Sequence, residues 1–357
     1  MTTINAITSP APALVTTVDS TGNLVMQTAG TNAVTYDANQ NAKHTGSISS
    51  VNTFGFKNRI INGAMVIDQR NAGASVTNPA SNIYTVDRWC LNTGFTGSVG
   101  QNLGSVTPPV GYVNYLGASS STTNSATNYF FRQQIEGYNI ADLNWGGSNA
   151  KTITLSFWVR CSLTGTFGGA FQNDAQDRSY VFSYTIPTAN TWQQVSITIA
   201  GDTTGTWLTN NGAGIRLWIS YGAIAGAQGS AGWQAGDVRS ITGQVNVMGT
   251  SGATFYITGV QLEVGSSATG FEYRQYTNEL ALCQRYYQFG GNSFFSNYGG
   301  SSGGVIMLFY KVSMRATPTI TSTLSPSSGS GVSTEVGNIY ILTNSTSPTT
   351  WTATAEL

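Results

Sequence analysis

The sequence predicts an all-β protein built around an antiparallel β-sandwich, and three observations carry that expectation. Charged residues make up only 8% of the chain, against about 25% in ordinary soluble proteins. Polarity comes instead from Ser, Thr, Asn, Gln and 42 glycines, with 17 tyrosines, 8 tryptophans and an apolar fraction of 40%, a composition typical of folded β proteins. Several stretches between residues 153 and 221 alternate apolar and polar side chains, the period of a half-buried strand. No helical period separates them, which points to two antiparallel sheets packed face to face.

The same composition excludes several functions. At 357 residues and zero formal net charge, the chain has length for a sizeable core but no basic stripe to neutralise phosphates, so nucleic acid is rejected as the main partner. A neutral surface suits uncharged ligands or packed protein contacts. No stretch approaches the roughly 18 apolar residues of a membrane span, so no membrane insertion is expected. The N-terminus MTTINAITSP lacks the basic and apolar regions of a signal peptide. The expectation is a chain made and assembled in the cytoplasm, or leaving it only with its cell or particle. Cys90, Cys161 and Cys283 are too few and scattered for a disulfide framework and are expected as free, mostly buried thiols.

Residues 1–56 are low in charge and broken into short β-like pieces, Asn23–Gln27 and Ala33–Asp37. Such pieces cannot bury a core within one chain. The segment is therefore expected to be disordered, to wind with copies of itself into a shaft, or to dock on a larger assembly. In NRIINGAMVIDQRNAG, residues 58–73, Asn62-Gly63 is a strong hairpin signal. It sits inside an apolar run, however, and a ribbon that short cannot stand alone. Something larger must cover it.

Residues 57–270 carry the sandwich strands. In KTITLSFWVRC, Ile153, Leu155, Phe157, Val159 and Cys161 share one face, while Thr152, Thr154, Ser156, Trp158 and Arg160 share the other. Tyr180, Phe182, Tyr184 and Ile186 alternate likewise, as do Val195, Ile197 and Ile199, and Ile215, Leu217, Ile219 and Tyr221. In FYITGVQLEVG, Phe255 and Ile257 fall out of phase with Val260 and Leu262, and a β-bulge near Gly259 would restore the phase. Residues 271–357 follow as a short helix in TNELALCQRYY, with Thr277 or Asn278 as cap and Glu279 in its first turn, then a small β module that includes GVIMLFYKVSM and NIYILTN.

In this order, NRIINGAMVIDQRNAG, YTVDRW, YFFRQQIEGYNIADLNWG, TLSFWVRCSLTGTFGGAFQN, ITIAGDTTGTW, FYITGVQLEVG and ELALCQRYY resemble the distal domains of bacteriophage tail-fibre and related virion fibre proteins. Those domains look like carbohydrate-binding-module jelly rolls, and the resemblance covers roughly residues 57–287. KVSMRATPTIT, residues 311–321, is similar to a segment that often follows such domains, and GNLVMQTAGTNAVTYDANQNA resembles fibre shaft or attachment segments. The resemblance implies a jelly roll opened by Asn58 to Gly63, with Asn62-Gly63 a turn or bulge between an opening strand and a strand that joins the sheet. It also implies a homotrimer on a virion, attached to other tail or head proteins through its N-terminal segment. The remaining partner would be host surface polysaccharide or lipopolysaccharide.

Two strands carry a tryptophan and an arginine on the polar face, Trp158 with Arg160 and Arg216 with Trp218; Phe130, Arg132 and Gln134 form a similar set on a third. An aromatic face stacks on the C–H face of a pyranose, and Arg or Gln donates to its hydroxyls. If the three strands share one sheet, these side chains line a shallow concave face. Equally, a loop, the C-terminal module or a neighbouring subunit covers that face and makes them interface core. Trp233, between glycines, is an exposed contact or a plug for the end of the sandwich. Tyr287, Phe289, Phe294, Phe295 and Tyr298 form a further aromatic run, suited to a receptor or a partner chain.

Catalysis has little support. The one histidine, His44, lies in the N-terminal segment, which excludes a His-based triad in the sandwich. Asp174, Asp177, Asp202, Asp237 and Glu263 could serve a glycosidase, but nothing in their spacing marks a pair. Asp202 reads as a turn residue. No cofactor is expected, and a calcium ion on such aspartates stays open as an alternative. The expectation is a binding protein without chemistry, with a structural head or tail decoration protein as the alternative and a depolymerase behind both.

Overall fold

The computed structural model describes residues 56–124, 128–223, 225–290, 310–322 and 350–357, together with the strands at 16–18, 24–28, 31–36, 42–44, 295–297, 304–309, 332–335 and 338–343. It comprises two compact units, Met1–Gly55 and Phe56–Leu357.

In the first unit Thr16–Val18, Leu24–Thr28, Thr31–Tyr36 and Ala42–His44 form an antiparallel meander in chain order. Each finds its partner in the next strand of its own chain.

The second unit is the expected antiparallel β-sandwich. One sheet has seven strands in the order Gly232–Ala235, Arg178–Ile186, Gly165–Gln172, Ala213–Gly222, Tyr129–Glu136, Trp89–Leu91 and Ile83–Val86. The other has six: Gln193–Ile199, Ile153–Cys161, Thr254–Val264, Leu116–Ser120, Gly97–Gln101 and Val76–Thr77. The alternating apolar residues meet between them as one core, with Leu155, Phe157, Phe167, Phe171, Leu217 and Phe255 all buried. Such a run packs because period-two alternation puts every second side chain on the inner face.

The bulge falls where the phase break requires it. Ser156 stands opposite Gln261 and Trp158 opposite Thr258, so the single residue Phe157 faces both Gly259 and Val260. Gly259 takes φ +61°, a left-handed conformation that glycine adopts without a Cβ penalty. Val260 and Leu262 thereby return to the core.

Residues 58–75 contain no strand, which corrects the expectation of two strands flanking Asn62-Gly63. The turn is present, with Asn62 at φ +58° and Met65 N–H donating to Asn62 O at 3.1 Å. Side-chain amides make the pairings a strand would otherwise make. Asn58 Oδ1 accepts from Ile60 N–H and Leu262 N–H at 2.9 and 3.0 Å, and Asn62 bonds both backbone groups of Ile67 at 2.8 and 3.0 Å. Gly63 lies against the bulged strand, where a Cβ would stand 2.1 Å from Val260 O. Ile60 and Met65 enter the sandwich core, while Ile61 and Ile67 pack beneath the helix.

The helix spans Tyr276–Gln284 without a side-chain cap, so neither Thr277 nor Asn278 caps it. The carbonyl of Gln275 accepts from Asn278 and Glu279 N–H instead. Glu279 is in the first turn as expected, held by the Asn62 N–H and by Arg274 at 3.3 Å. Cys283 and Tyr286 bury against Ile61 and Ile67, with Leu357 beside them. Around this junction lies a set of buried ions. Arg88 pairs with Glu356, Arg70 bridges Glu356 and Asp87 at 3.0 and 3.1 Å, and Arg285 pairs with Glu136 at 2.6 Å. Gln228–Gly229 and Ser240–Ile241 pair in parallel, and the remaining strands form sheets of three and four around Trp351–Thr354 and Asn338–Thr343.

Candidate functional site

The three strands do not share one sheet, so the condition for a single concave face of these side chains is not met. Trp158 and Arg160 lie on the outer face of the six-stranded sheet, whereas Phe130, Arg132, Gln134, Arg216 and Trp218 lie on the outer face of the seven-stranded sheet. On the latter, Arg132 stands opposite Trp218 and Gln134 opposite Arg216.

That second face is largely roofed by the chain itself. Trp218 is 1% exposed and Phe130 is buried, the two rings 5.4 Å apart beneath Val238 and Ile241. Trp218 Nε1 donates to Gln172 Oε1 at 2.6 Å, and Arg239 covers its ring at 4.5 Å. Gln134 is held by the Leu357 carbonyl and Arg216 by Asp174 at 2.5 Å. Arg132 lies 5.2 Å from the Trp218 ring and reaches Cys90 Sγ at 3.5 Å. A loop and the C-terminus therefore cover this face, the second of the two readings open from the sequence.

Trp233 plugs the sandwich edge. It packs against Trp145, Trp207 and Tyr180 at 5.4, 5.8 and 5.0 Å, and its Nε1 donates to Ala200 O at 2.9 Å. Of the later aromatic run, Phe294, Tyr298 and the Phe295 side chain lie outside the described residues. Phe289 is exposed, and Tyr287 is covered by Arg70 at 3.7 Å.

Around Trp158 the surface is different. Trp158 and Arg160 are both half-buried, and they belong to an aromatic layer that the loop 103–115 and the segment 271–273 bring onto the sheet. Burial raises the Tyr112 phenol above its ordinary range, and the neighbouring Trp158 indole opposes that rise. Tyr112 in turn packs against Phe271 and Tyr273 at 5.3 and 5.7 Å. On the other side Tyr256, the strand partner of Arg160, packs against Tyr115 at 5.4 Å and Trp192 at 6.4 Å. Trp192 is pinned by its Nε1 to Thr107 O at 2.8 Å, and Arg160 by its Nε to Asn190 O at 2.9 Å, with its guanidinium 5.4 Å from the Tyr256 ring.

Two glycines in the sheet make room for these rings. A Cβ at Gly259 would stand 2.6 Å from the Tyr112 ring, and one at Gly117 would stand 2.7 Å from Tyr256. Burial pushes the phenols of Tyr112, Tyr115 and Tyr273 above their ordinary range, so they remain neutral donors at physiological pH. Tyr273 stays 57% exposed at the margin. Tyr115 and Tyr256 are buried beneath the layer, so the accessible part is a mostly uncharged patch of Trp158, Tyr112, Trp192, Phe271 and Tyr273 with one guanidinium at its edge. It can stack flat apolar faces and donate hydrogen bonds beside them.

The strand pattern singles out Trp158 and Arg160 but not the rings packed around them, Tyr112, Tyr115, Trp192, Tyr256, Phe271 and Tyr273. Alternation in FYITG places Tyr256 on the same side as Thr258, away from the core, so that ring was findable. Tyr112 and Trp192 arrive from loops, and period two says nothing about where loop residues lie.

The candidate carboxylates are engaged elsewhere. Burial would raise the Asp202 carboxyl, yet the Arg178 guanidinium at 2.7 Å and the Trp207 N–H at 3.1 Å hold it below its ordinary range. Its turn role is also present, in the Thr204 N–H at 3.4 Å. Asp237 is gripped by Arg239 and by Gln172, and Glu263 accepts from Gln261 and Thr269. Among the described residues no group of three or more His, Cys, Asp or Glu side chains gathers as a metal site.

No protein family and no curated protein matches the chain. Among solved structures it is similar to the enzymatically active domain of tailspike protein 4 from bacteriophage CBA120, at 14% identity and a TM-score of 0.31 over 53% of this chain. The match spans 21% of that tailspike chain. A putative sugar binding protein from Bacteroides thetaiotaomicron matches at 12% identity and a TM-score of 0.31, over 58% of this chain and 100% of that one. A family 30 carbohydrate binding module matches at 10% identity and a TM-score of 0.29, over 60% and 93%.

Proposed function

We propose that this chain is a bacteriophage virion fibre protein whose sandwich binds host surface glycan without chemical change. The observation that carries the reading is the aromatic layer on the six-stranded sheet. There Trp158 and Tyr112 are half-buried, backed by rings for which glycines were left in the sheet. A layer that is pinned before any ligand arrives loses little entropy on binding. Its near absence of charge favours polysaccharide or lipopolysaccharide sugars over acidic or basic partners.

The ordered motifs that resemble virion fibres support the rest of the reading: a homotrimer, attached to other virion proteins through residues 1–56 and assembled in the host cytoplasm. Three copies would raise weak single-site binding through effective concentration.

The test is a glycan array of bacterial O-antigens and capsular polysaccharides probed with the full-length protein, beside Trp158→Ala and Arg160→Ala. A hit that Trp158→Ala abolishes while the oligomer is intact supports the reading. No hit for the parent protein, with Trp158→Ala instead breaking the oligomer, would move the assignment to a decoration protein.

A further inference from the structure

The two sheets of the sandwich have four edges, and three of them are blunted. Val76–Thr77 is two residues long. Ile83–Val86 is four residues long, and its register breaks between Tyr84 and Val86. Gly232–Ala235 is also four residues long and lies between the left-handed glycines Gly232 and Gly236, at φ +101° and +92°. Short strands, bulges and local twists of this kind keep an open edge from pairing with another chain.

The fourth edge, Gln193–Ile199, has none of these protections. It runs for seven residues in unbroken register with Ile153–Val159, and its sequence QQVSITI contains no charge and no proline. Alternate residues of an antiparallel strand turn their N–H and C=O groups to opposite sides, so the side away from Ile153–Val159 presents a row of backbone donors and acceptors. Among the described residues no strand, turn or loop backbone pairs with that row. Gln194, Ser196 and Thr198 are exposed, and Ile197 is only half-buried although Val195 and Ile199, on the same inner face, are buried.

An open edge fits a strand of matching pattern, and this strand's own sequence supplies one. Turned antiparallel about Ser196, a second copy sets Gln194 opposite Thr198, Val195 opposite Ile197 and Ser196 opposite itself. Polar then meets polar on the outer face, apolar meets apolar on the inner face, and no like charges meet. We propose that Gln193–Ile199 is a self-pairing interface, through which the six-stranded sheets of two copies of this chain join about a two-fold axis at Ser196. That axis is normal to the sheet, so both aromatic layers face the same way, and Ile197 gains the neighbour it lacks. A two-fold contact cannot close within a three-fold assembly, so in the proposed homotrimer it links one trimer to the next. The pairing stands independently of glycan binding.

Sedimentation equilibrium of the full-length protein reads this contact directly. One strand pair is a small interface of the transient kind, so the mass should double reversibly with a dissociation constant on the order of 10–100 µM. Ser196→Lys and Ser196→Glu each place two like charges on the axis and should each weaken the doubling by about tenfold or more. Because Ser196 is exposed, neither substitution disturbs the core, and thermal melts should stay unchanged. An equimolar mixture of the two variants should restore the doubling, since lysine then meets glutamate across the axis. A parent protein whose mass does not double at several hundred micromolar, or a doubling indifferent to both substitutions, would overturn the proposal. So would a mixture that stays dissociated, because Ser196 would then be meeting some other strand.

Discussion

Gly259 offers the sharpest test of how the aromatic layer is built. Its φ of +61° means that Gly259→Ala carries the left-handed cost of about 1–2 kcal/mol. The new Cβ would also stand 2.6 Å from the Tyr112 ring, and that ring must then swing away from Phe271, Tyr273 and Trp158. The two half-buried aromatic pairs of Tyr112 contribute about 1–2 kcal/mol together, so Gly259→Ala should cost about 2–4 kcal/mol in all. In a Tyr112→Ala background only the backbone strain remains. A double-mutant cycle read by urea unfolding should therefore give a coupling of about 1–2 kcal/mol between the two sites. A coupling inside the additivity error of about 0.5 kcal/mol would refute the claim that Gly259 is there to admit Tyr112. The glycan signal should fall with Gly259→Ala as well, since the ring beside Trp158 has moved.

Other outcomes follow from the junction and the core. Glu356→Gln leaves Arg88, whose side chain is 1% exposed, buried without its partner, and should cost about 3–5 kcal/mol in unfolding free energy. Burial raises the Asp87 carboxyl from its ordinary 3.8 to about 6, against the opposing pull of Arg70 and Gln69. The folded state thus holds this proton more tightly than the unfolded chain. The penalty for ionising Asp87 is absent below pH 3.8, grows through the window up to about 6, and reaches about 3 kcal/mol above it. Urea midpoints should accordingly fall with rising pH in the parent protein relative to Asp87→Asn, and parallel pH profiles would contradict this. Gly63→Ala, whose Cβ would meet the Val260 carbonyl at 2.1 Å, should destabilise more than Gly259→Ala, because backbone and not a movable ring stands in its way. All three cysteines are buried, so a thiol reagent should react with none of them until denaturant is added.

The sandwich was legible because its strands obey one rule. Alternation placed Leu155, Phe157, Leu217 and Ile219 in the core, and even the break at Gly259 was visible as a phase error that only an extra residue repairs. Asn62-Gly63 was legible as a turn but not as a strandless one, because the deciding contacts are side-chain amides reaching Ile67 and the distant Leu262. Of the sites, Trp158 was readable as facing away from the core. That Trp218, identical by pattern, is sealed depends on a loop from residues 225–241 folding back over it. Periodicity orients a side chain on its strand and is silent about what lands on top.

The scarcity of charge also gains a meaning from where the charges lie. Arg70, Asp87, Arg88, Glu136, Arg274, Glu279, Arg285 and Glu356 are gathered where the helix and the C-terminus meet the sandwich, and Arg178 with Asp202 and Arg239 with Asp237 fasten loops. Buried or half-buried pairs of this kind add little net stability but penalise any other arrangement, since one partner alone is left uncompensated. The few ions the chain carries thus specify how its parts fit together. The outer face of the six-stranded sheet is left mainly to rings and amides, with the Arg160 guanidinium at the edge of the aromatic layer. Salt should therefore leave glycan binding by the aromatic layer almost unchanged, because stacking and neutral hydrogen bonds are not screened as exposed charges are. A glycan-array signal that collapsed between low and physiological ionic strength would contradict this and point to a charged contact, with Arg160 at the edge of the layer the first to test.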